Sequence, residues 1–353
     1  MSEIRPTAPA SGTTDAGEAQ AWPAWRRRAM LVGPWLIAAG LIVVFFTRVP
    51  IEEAWSVARS ARLDLFVPLI TVAVLLWFLV ESATYSLLFT RFNAPVSIRE
   101  ALSLRGMSYL LTPIHWNVGK AAMILRLRQT KGIPLLEATS TMMLVQTVDG
   151  FVLAGLATTG LTLLASQAEE LAGVRGTTIA IGTAVLLNLA LLRAGWPRFR
   201  WLRWWRSIAL HHAHRRLSLR DFLLIASLKG TYHLVFVLVF YLGTRAFGID
   251  LPFALALAAS PIIQAVGALP ITPAGLGTQQ AAMLYFFGDR FGGNGSEAGI
   301  LAFGFALPVA MVGARCLLGL FYLKDLSREE ALRAGSSAEK RTLLEHPLPR
   351  ESV

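Results

Sequence analysis

Six apolar blocks of 17 to 29 residues constrain this chain more than any other feature: Ala29–Thr47, Leu65–Phe89, Glu137–Ala165, Thr177–Arg193, Asp221–Gly243 and Glu297–Tyr322. A helix needs about 20 predominantly apolar residues to cross the hydrocarbon core of a bilayer. The pattern therefore predicts an all-α, polytopic membrane helix bundle with about six full spans. Composition agrees: 54% of the chain is apolar and only 16% charged, where a soluble domain carries roughly a quarter charged residues. The first block follows Arg26-Arg27-Arg28, the order of a signal peptide. Its length and the lack of a small-residue cleavage pattern after it point instead to a retained helix.

The flanks are polar. Residues 1–28 and 325–353 are expected to be disordered cytoplasmic tails around a transmembrane domain at 29–324. Cys316 is the single cysteine, which excludes a disulfide framework and the common cysteine-based zinc sites.

Two apolar stretches, 99–131 and 253–288, are interrupted by Pro and Gly. The interruptions, TPIHWNVGKAAM (Thr112–Met123) and TPAGLGTQQAAM (Thr272–Met283), share the pattern T-P-x7-A-A-M. Broken helices survive at membrane depth only where protein or a watery cavity satisfies the freed backbone. Each stretch is read as a re-entrant hairpin, a helix pair that dips into the membrane and turns back.

The net charge of +11 follows from placement. With the N-terminus in the cytoplasm, the cytoplasmic segments hold 25 of the 33 Lys and Arg residues and the external segments six. That is the positive-inside bias of a membrane protein, and it accounts for the charge without nucleic acid. The same topology makes the hairpins enter from opposite sides, the sign of an inverted repeat, whose interface commonly holds a transporter's substrate.

These residues resemble a known family. The stretch Arg105–Thr147, containing RQTKGIPLLEATSTMMLVQTVD with the following Asp149, together with LPITPAGLGTQQAAML (Leu269–Leu284), is similar to the transmembrane region of lysylphosphatidylglycerol synthases, also called the flippase-like domain. The resemblance spans residues 29–324. It implies a bacterial cytoplasmic-membrane protein, with both termini inside, that moves a lipid from the inner to the outer leaflet. Some members are fused to a soluble aminoacyl-transferase; the polar stretch past Tyr322 is too short for one, so synthase activity is not expected. Where members often carry acids, this chain has Lys120 after Gly119, Gln146-Thr147 ahead of Asp149, and Gln280. Those differences argue against a cationic substrate and against proton coupling through those positions.

Ionisable residues within the spans are Glu81, Asp149, Lys229 and Arg315. A charge at a helix centre costs about 2.5–3.5 kcal/mol on insertion scales, so each needs a counter-charge or water. Asp149 lies 12 residues into its block and Lys229 eight into its own, depths of about 18 and 12 Å at the helical rise. Depth-matching permits Asp149–Lys229 and Glu81–Arg315, either as structural ion pairs or with Lys229 or Arg315 contacting a phosphate. Substrate contacts are also expected at the breaks. A helix restarting after Gly119, or after Gly275 and Gly277, aims free N–H groups and a positive dipole end at an anion. Lys120, Arg126, Pro113, Pro273 and Gln280 flank those ends. The alternatives there are lipid-facing positive-inside charge for Arg126 and small-residue packing for the glycines.

His211-His212-x-His214 lies in a basic-aromatic segment, 196–220, with the composition of an interfacial helix on the cytoplasmic headgroups. Three histidines without carboxylate support make an incomplete metal site. No metal or cofactor is expected, and no catalytic motif is visible. The function expected is a lipid flippase for a phospholipid or lipid-linked anionic headgroup. The alternatives are a membrane enzyme acting on lipid phosphates, with Glu52-Glu53 among its acids, and a non-transporting partner of a lipid-biosynthesis enzyme. Membrane lipid is the expected partner, with a homodimer possible.

Overall fold

The computed structural model describes residues 51–111, 116–164, 168–194, 200–269 and 277–345. The expected tail 1–28, the block Ala29–Thr47, and both hairpin tips with Pro113, Pro273 and Gly275 lie outside the described residues. Within them the chain is a helix bundle: α1 (Ile51–Ser60), α2 (Leu63–Phe92), α3 (Ile98–Leu111), α4 (Trp116–Lys131), α5 (Leu135–Leu163) and α6 (Ala168–Ala194). There follow α7 (Arg200–Ser207), α8 (His212–Arg216), α9 (Leu219–Gly243), α10 (Phe253–Ala268), α11 (Thr278–Phe287) and α12 (Glu297–Glu345).

Five of these helices are long and apolar enough to cross a membrane, namely α2, α5, α6, α9 and the first part of α12. Their surfaces are inverted relative to a soluble protein. On α2 the outward stripe is Val72, Leu75, Leu76 and Leu79, all well exposed, while Glu81, Ser82 and Thr84 are buried. Exposed leucines and isoleucines on a helix whose polar residues face inward are what lipid as solvent selects. The chain is a multi-pass membrane protein.

Local sequence sets where the helices start. Ser218 and Asp221 reciprocally bond each other's backbone N–H at the start of α9, and Ser97 and Glu100 do the same for α3. Both are capping boxes. Two boundaries differ from expectation. Helix α6 begins at Ala168, nine residues before the expected Thr177, because AEELAGV is rich in strong helix formers. Helix α12 continues to Glu345 through the stretch expected to be disordered, for the same reason: it is dense in Ala, Glu, Leu, Lys and Arg.

Each interrupted stretch is a helix pair. In the first, α3 and α4 cross at Gly119, where an added Cβ would stand 2.8 Å from the Ser108 carbonyl oxygen. The open end is tied by Lys131 Nζ to Glu100 Oε1 at 2.7 Å. In the second, α10 and α11 meet where Gly267 faces the Gln279 side chain, and the open end is closed by Asp250 N donating to Asn294 Oδ1 at 2.7 Å. Helix α10 also packs hard on α5, since Gly160 lets the Ala258 backbone approach to where a Cβ would lie 2.3 Å from its nitrogen.

The helices preceding the two pairs, α2 and α9, run antiparallel. Phe66 meets Phe247, Trp77 stacks on Phe236 at 4.0 Å, and Arg91 pairs with Asp221 at 3.2 Å. Helix α12 touches both pairs. Gly106 and Leu110 of α3 contact Tyr322 and Gly319, whereas Gln280 of α11 bonds the Gly304 carbonyl. Phe287, at the far end of α11, contacts Gly295. Chain direction therefore carries both pairs toward the Pro308–Arg315 stretch of α12 from opposite ends.

Candidate functional site

Near that stretch the buried charges gather. Glu81 of α2 is held by Arg105 of α3, whose Nε donates to Oε2 at 2.8 Å and whose Nη2 donates to the same oxygen. Arg105 Nη1 donates on to Ser108 Oγ at 3.1 Å. Asp149 of α5 receives Lys229 Nζ of α9 on Oδ1 at 3.0 Å, and His233 Nε2 approaches that oxygen at 2.9 Å. The two groups are one electrostatic cluster: Lys229 and Arg315 act on Glu81, and Lys120 of α4 feels Glu81, Lys229, Arg105 and Asp149.

Aromatic rings line the cluster. Arg105 lies over Tyr109 at 4.6 Å, Arg315 over Tyr109 at 5.5 Å and Trp77 at 5.8 Å, and Lys229 over Tyr232 at 4.7 Å. Cations facing desolvated rings are stabilised by the ring quadrupole. Four basic side chains (Arg105, Lys120, Lys229 and Arg315) share two carboxylates here among the described residues.

Of the residues singled out from sequence, Asp149 and Lys229 pair as depth-matching allowed. The Lys229 side chain spans the difference in depth. Glu81 does not take Arg315 as its ion-pair partner. Arg105 occupies that place, because the first hairpin folds into the bundle and brings α3 against α2. Gly119 is not at a helix start: α4 begins at Trp116, and the glycine serves the close crossing with α3. Gly277 does start a helix. Its φ of +87° is a backbone conformation that favours glycine. Its N–H, however, donates to Gln280 Oε1 at 2.7 Å, and Gln280 Nε2 donates to Gly304 at 2.8 Å, so buried Gln280 fastens α11 to α12 with both ends of its amide. Arg126 lies farther along α4 toward Lys131 and is half-buried.

Two residues were missed. Arg105, eight residues before Pro113, belongs to the first hairpin. His233 stands one helical turn after Lys229, a spacing that places both on one face.

Within the described part of the 196–220 segment, residues 210–214 pack onto α5. Ser140 Oγ donates to the Leu210 carbonyl at 2.8 Å and accepts from Ala213 N at 2.9 Å. His211 and His214 are buried, and His214 Nε2 bonds Thr147 Oγ1 at 3.0 Å. Burial, and after it the charge of His211, pushes the His214 imidazole down to about 4. Trp204 and Arg203 stay exposed. Among the described residues no three His, Cys, Asp or Glu side chains gather as a metal site.

No curated protein matches the chain. A family model, that of the lysylphosphatidylglycerol synthase TM region, matches residues 31–330. The match takes in the spans, both helix pairs and the buried charge cluster, and the chain belongs to this family of membrane proteins.

Proposed function

We propose that the protein passes a lipid with an anionic, phosphate-bearing headgroup from the inner to the outer leaflet by alternating access around the two helix pairs. The observation that carries this reading is the interior cluster that gathers Arg105, Lys120, Lys229 and Arg315 around Glu81 and Asp149. Buried cations gathered at one depth favour an anion, and the oxygens of an entering phosphate suit guanidinium and ammonium donors. The antiparallel α2 and α9, each followed by a broken helix pair, support an inverted repeat, the architecture in which substrate sites sit at the repeat interface. The basic residues of 193–220 support placing that end in the cytoplasm of a bacterial inner membrane. No catalytic constellation accompanies the cluster among the described residues, so the reading is transport and not chemistry.

The test is the leaflet exposure of headgroup-labelled phosphatidylglycerol in vesicles carrying the purified protein. Wild type should move the label at least tenfold faster than empty vesicles, and Lys229→Gln should lose most of that rate while still eluting as folded protein. A wild-type rate equal to empty vesicles, or a Lys229→Gln rate equal to wild type, would defeat the proposal. Product formation from the lipid would replace it with an enzyme.

A further inference from the structure

The hydrogen bonds around His233 run in an order that counts protons. Gln264 Nε2 donates to the Ser260 carbonyl at 3.3 Å, which turns its amide oxygen toward His233 Nδ1, 3.1 Å away. An amide oxygen only accepts, so Nδ1 carries a hydrogen. A neutral imidazole has one N–H, and the bond to Gln264 uses it. Nε2 would then be a bare lone pair, yet it stands 2.9 Å from Asp149 Oδ1, and an ionised carboxylate has no hydrogen to give. One more proton must lie between them, on the imidazole or on the carboxyl. Turning the Gln264 amide over would only move the clash of two acceptors to the Ser260 carbonyl.

We propose that Asp149 and His233 form a proton-binding pair in the membrane-embedded core, holding one exchangeable proton between Oδ1 and Nε2. The proton belongs to the pair and not to either residue alone. Asp149 is the most accessible of the three groups, its side chain 26% exposed against 3% for His233 and 6% for Lys229. Lys229 and Tyr232 of α9, Tyr85 of α2, Lys120 of α4 and Gln264 of α10 act on the pair, and Glu81 of α2, Arg105 of α3 and Arg315 of α12 act in turn on Lys229 or Tyr232. Losing the proton leaves two acceptors face to face, so the His233 ring must turn from Asp149 while Lys229 still ties α9 to α5; the movement of the ring reaches the first arm of the second helix pair through Gln264. The site stands on hydrogen-bond order alone; its use in driving headgroup passage rests on the transport reading above.

Nitrogen-15 NMR of the histidine-labelled full chain in phosphatidylglycerol nanodiscs at pH 7 reads the pair directly, with His233 assigned by its loss in His233→Gln. The expected ring has a protonated Nδ1 and a proton shared between Nε2 and Asp149. In Asp149→Asn it should become a neutral ring protonated at Nδ1 alone, since Asn donates to the Nε2 lone pair. That change also assigns His233 should the His233 variant not fold. A wild-type ring with a bare Nδ1 would overturn the proton site. In vesicles with an imposed pH difference, wild-type lipid movement should speed or slow with the sign of the gradient, and Asp149→Asn should lose that dependence. Gradient-independent movement by wild type would overturn the coupling, whereas no lipid movement at all, with the NMR signature present, would overturn the transport reading and leave the proton site standing.

Discussion

Replacing Glu81 by Gln should destabilise the bundle more than replacing both Glu81 and the arginine it neutralises. Both side chains are 8% exposed, and Arg105 spends Nε and Nη2 on the carboxylate and Nη1 on Ser108. Gln keeps the shape and one acceptor but leaves a guanidinium in an interior that already holds Lys229 and Arg315. Removing one partner of a buried ion pair costs roughly 3–5 kcal/mol, whereas exchanging both for apolar groups of like volume is often neutral. Glu81→Gln/Arg105→Met should therefore be more stable than Glu81→Gln alone. The coupling energy should reach the upper part of the range of about 0.5–3 kcal/mol seen for contacting residues. The assay is SDS-induced unfolding of the purified protein in mild detergent, followed by tryptophan fluorescence, to which fully buried Trp77 contributes. Additive losses in the double variant, or a Glu81→Gln protein as stable as wild type, would refute the view that Glu81 serves chiefly to neutralise Arg105.

Gly160→Ala should cost about 1–3 kcal/mol, the usual penalty for overpacking, because its Cβ would lie 2.3 Å from the Ala258 nitrogen. Gly155→Ala in the same helix meets nothing within 4 Å and should match or slightly exceed wild type in the same unfolding assay. His214 is held neutral by burial, its folded value of about 4 lying below the ordinary 6.5. The unfolded chain thus binds the extra proton first, and stability present above pH 6.5 should fall as pH drops toward 4, by as much as about 3 kcal/mol. His214→Gln should flatten that part of a stability-against-pH curve.

That each interrupted stretch holds two helices, α3 with α4 and α10 with α11, was legible because Pro and Gly act locally. The glycines of these stretches were not equally legible. Gly277 owes its place to its own φ, a property of the turn, whereas Gly119 owes its place to Ser108 on another helix. Gln280 reads from sequence as a substrate contact flanking a helix start; its two amide bonds, to Gly277 and Gly304, show that it fastens helices together. The Asp149–Lys229 pair could be reached from depth alone, because axial position in a helix is fixed by residue count.

The amino-acid order by itself determined that the chain is a membrane helix bundle, five of whose described helices are long and apolar enough to cross, and that two of its apolar stretches are each divided between two helices. Those properties depend on windows of about 20 residues and on the chain's own backbone. Only the tertiary structure decided which charge meets which. Arg105 took Glu81 because the first hairpin folds against α2, and His233 reached Asp149 because α9 lies beside α5. Rotation of a helix about its axis is set by the neighbours it packs against, and an apolar helix with no polar stripe carries no record of that angle in its sequence.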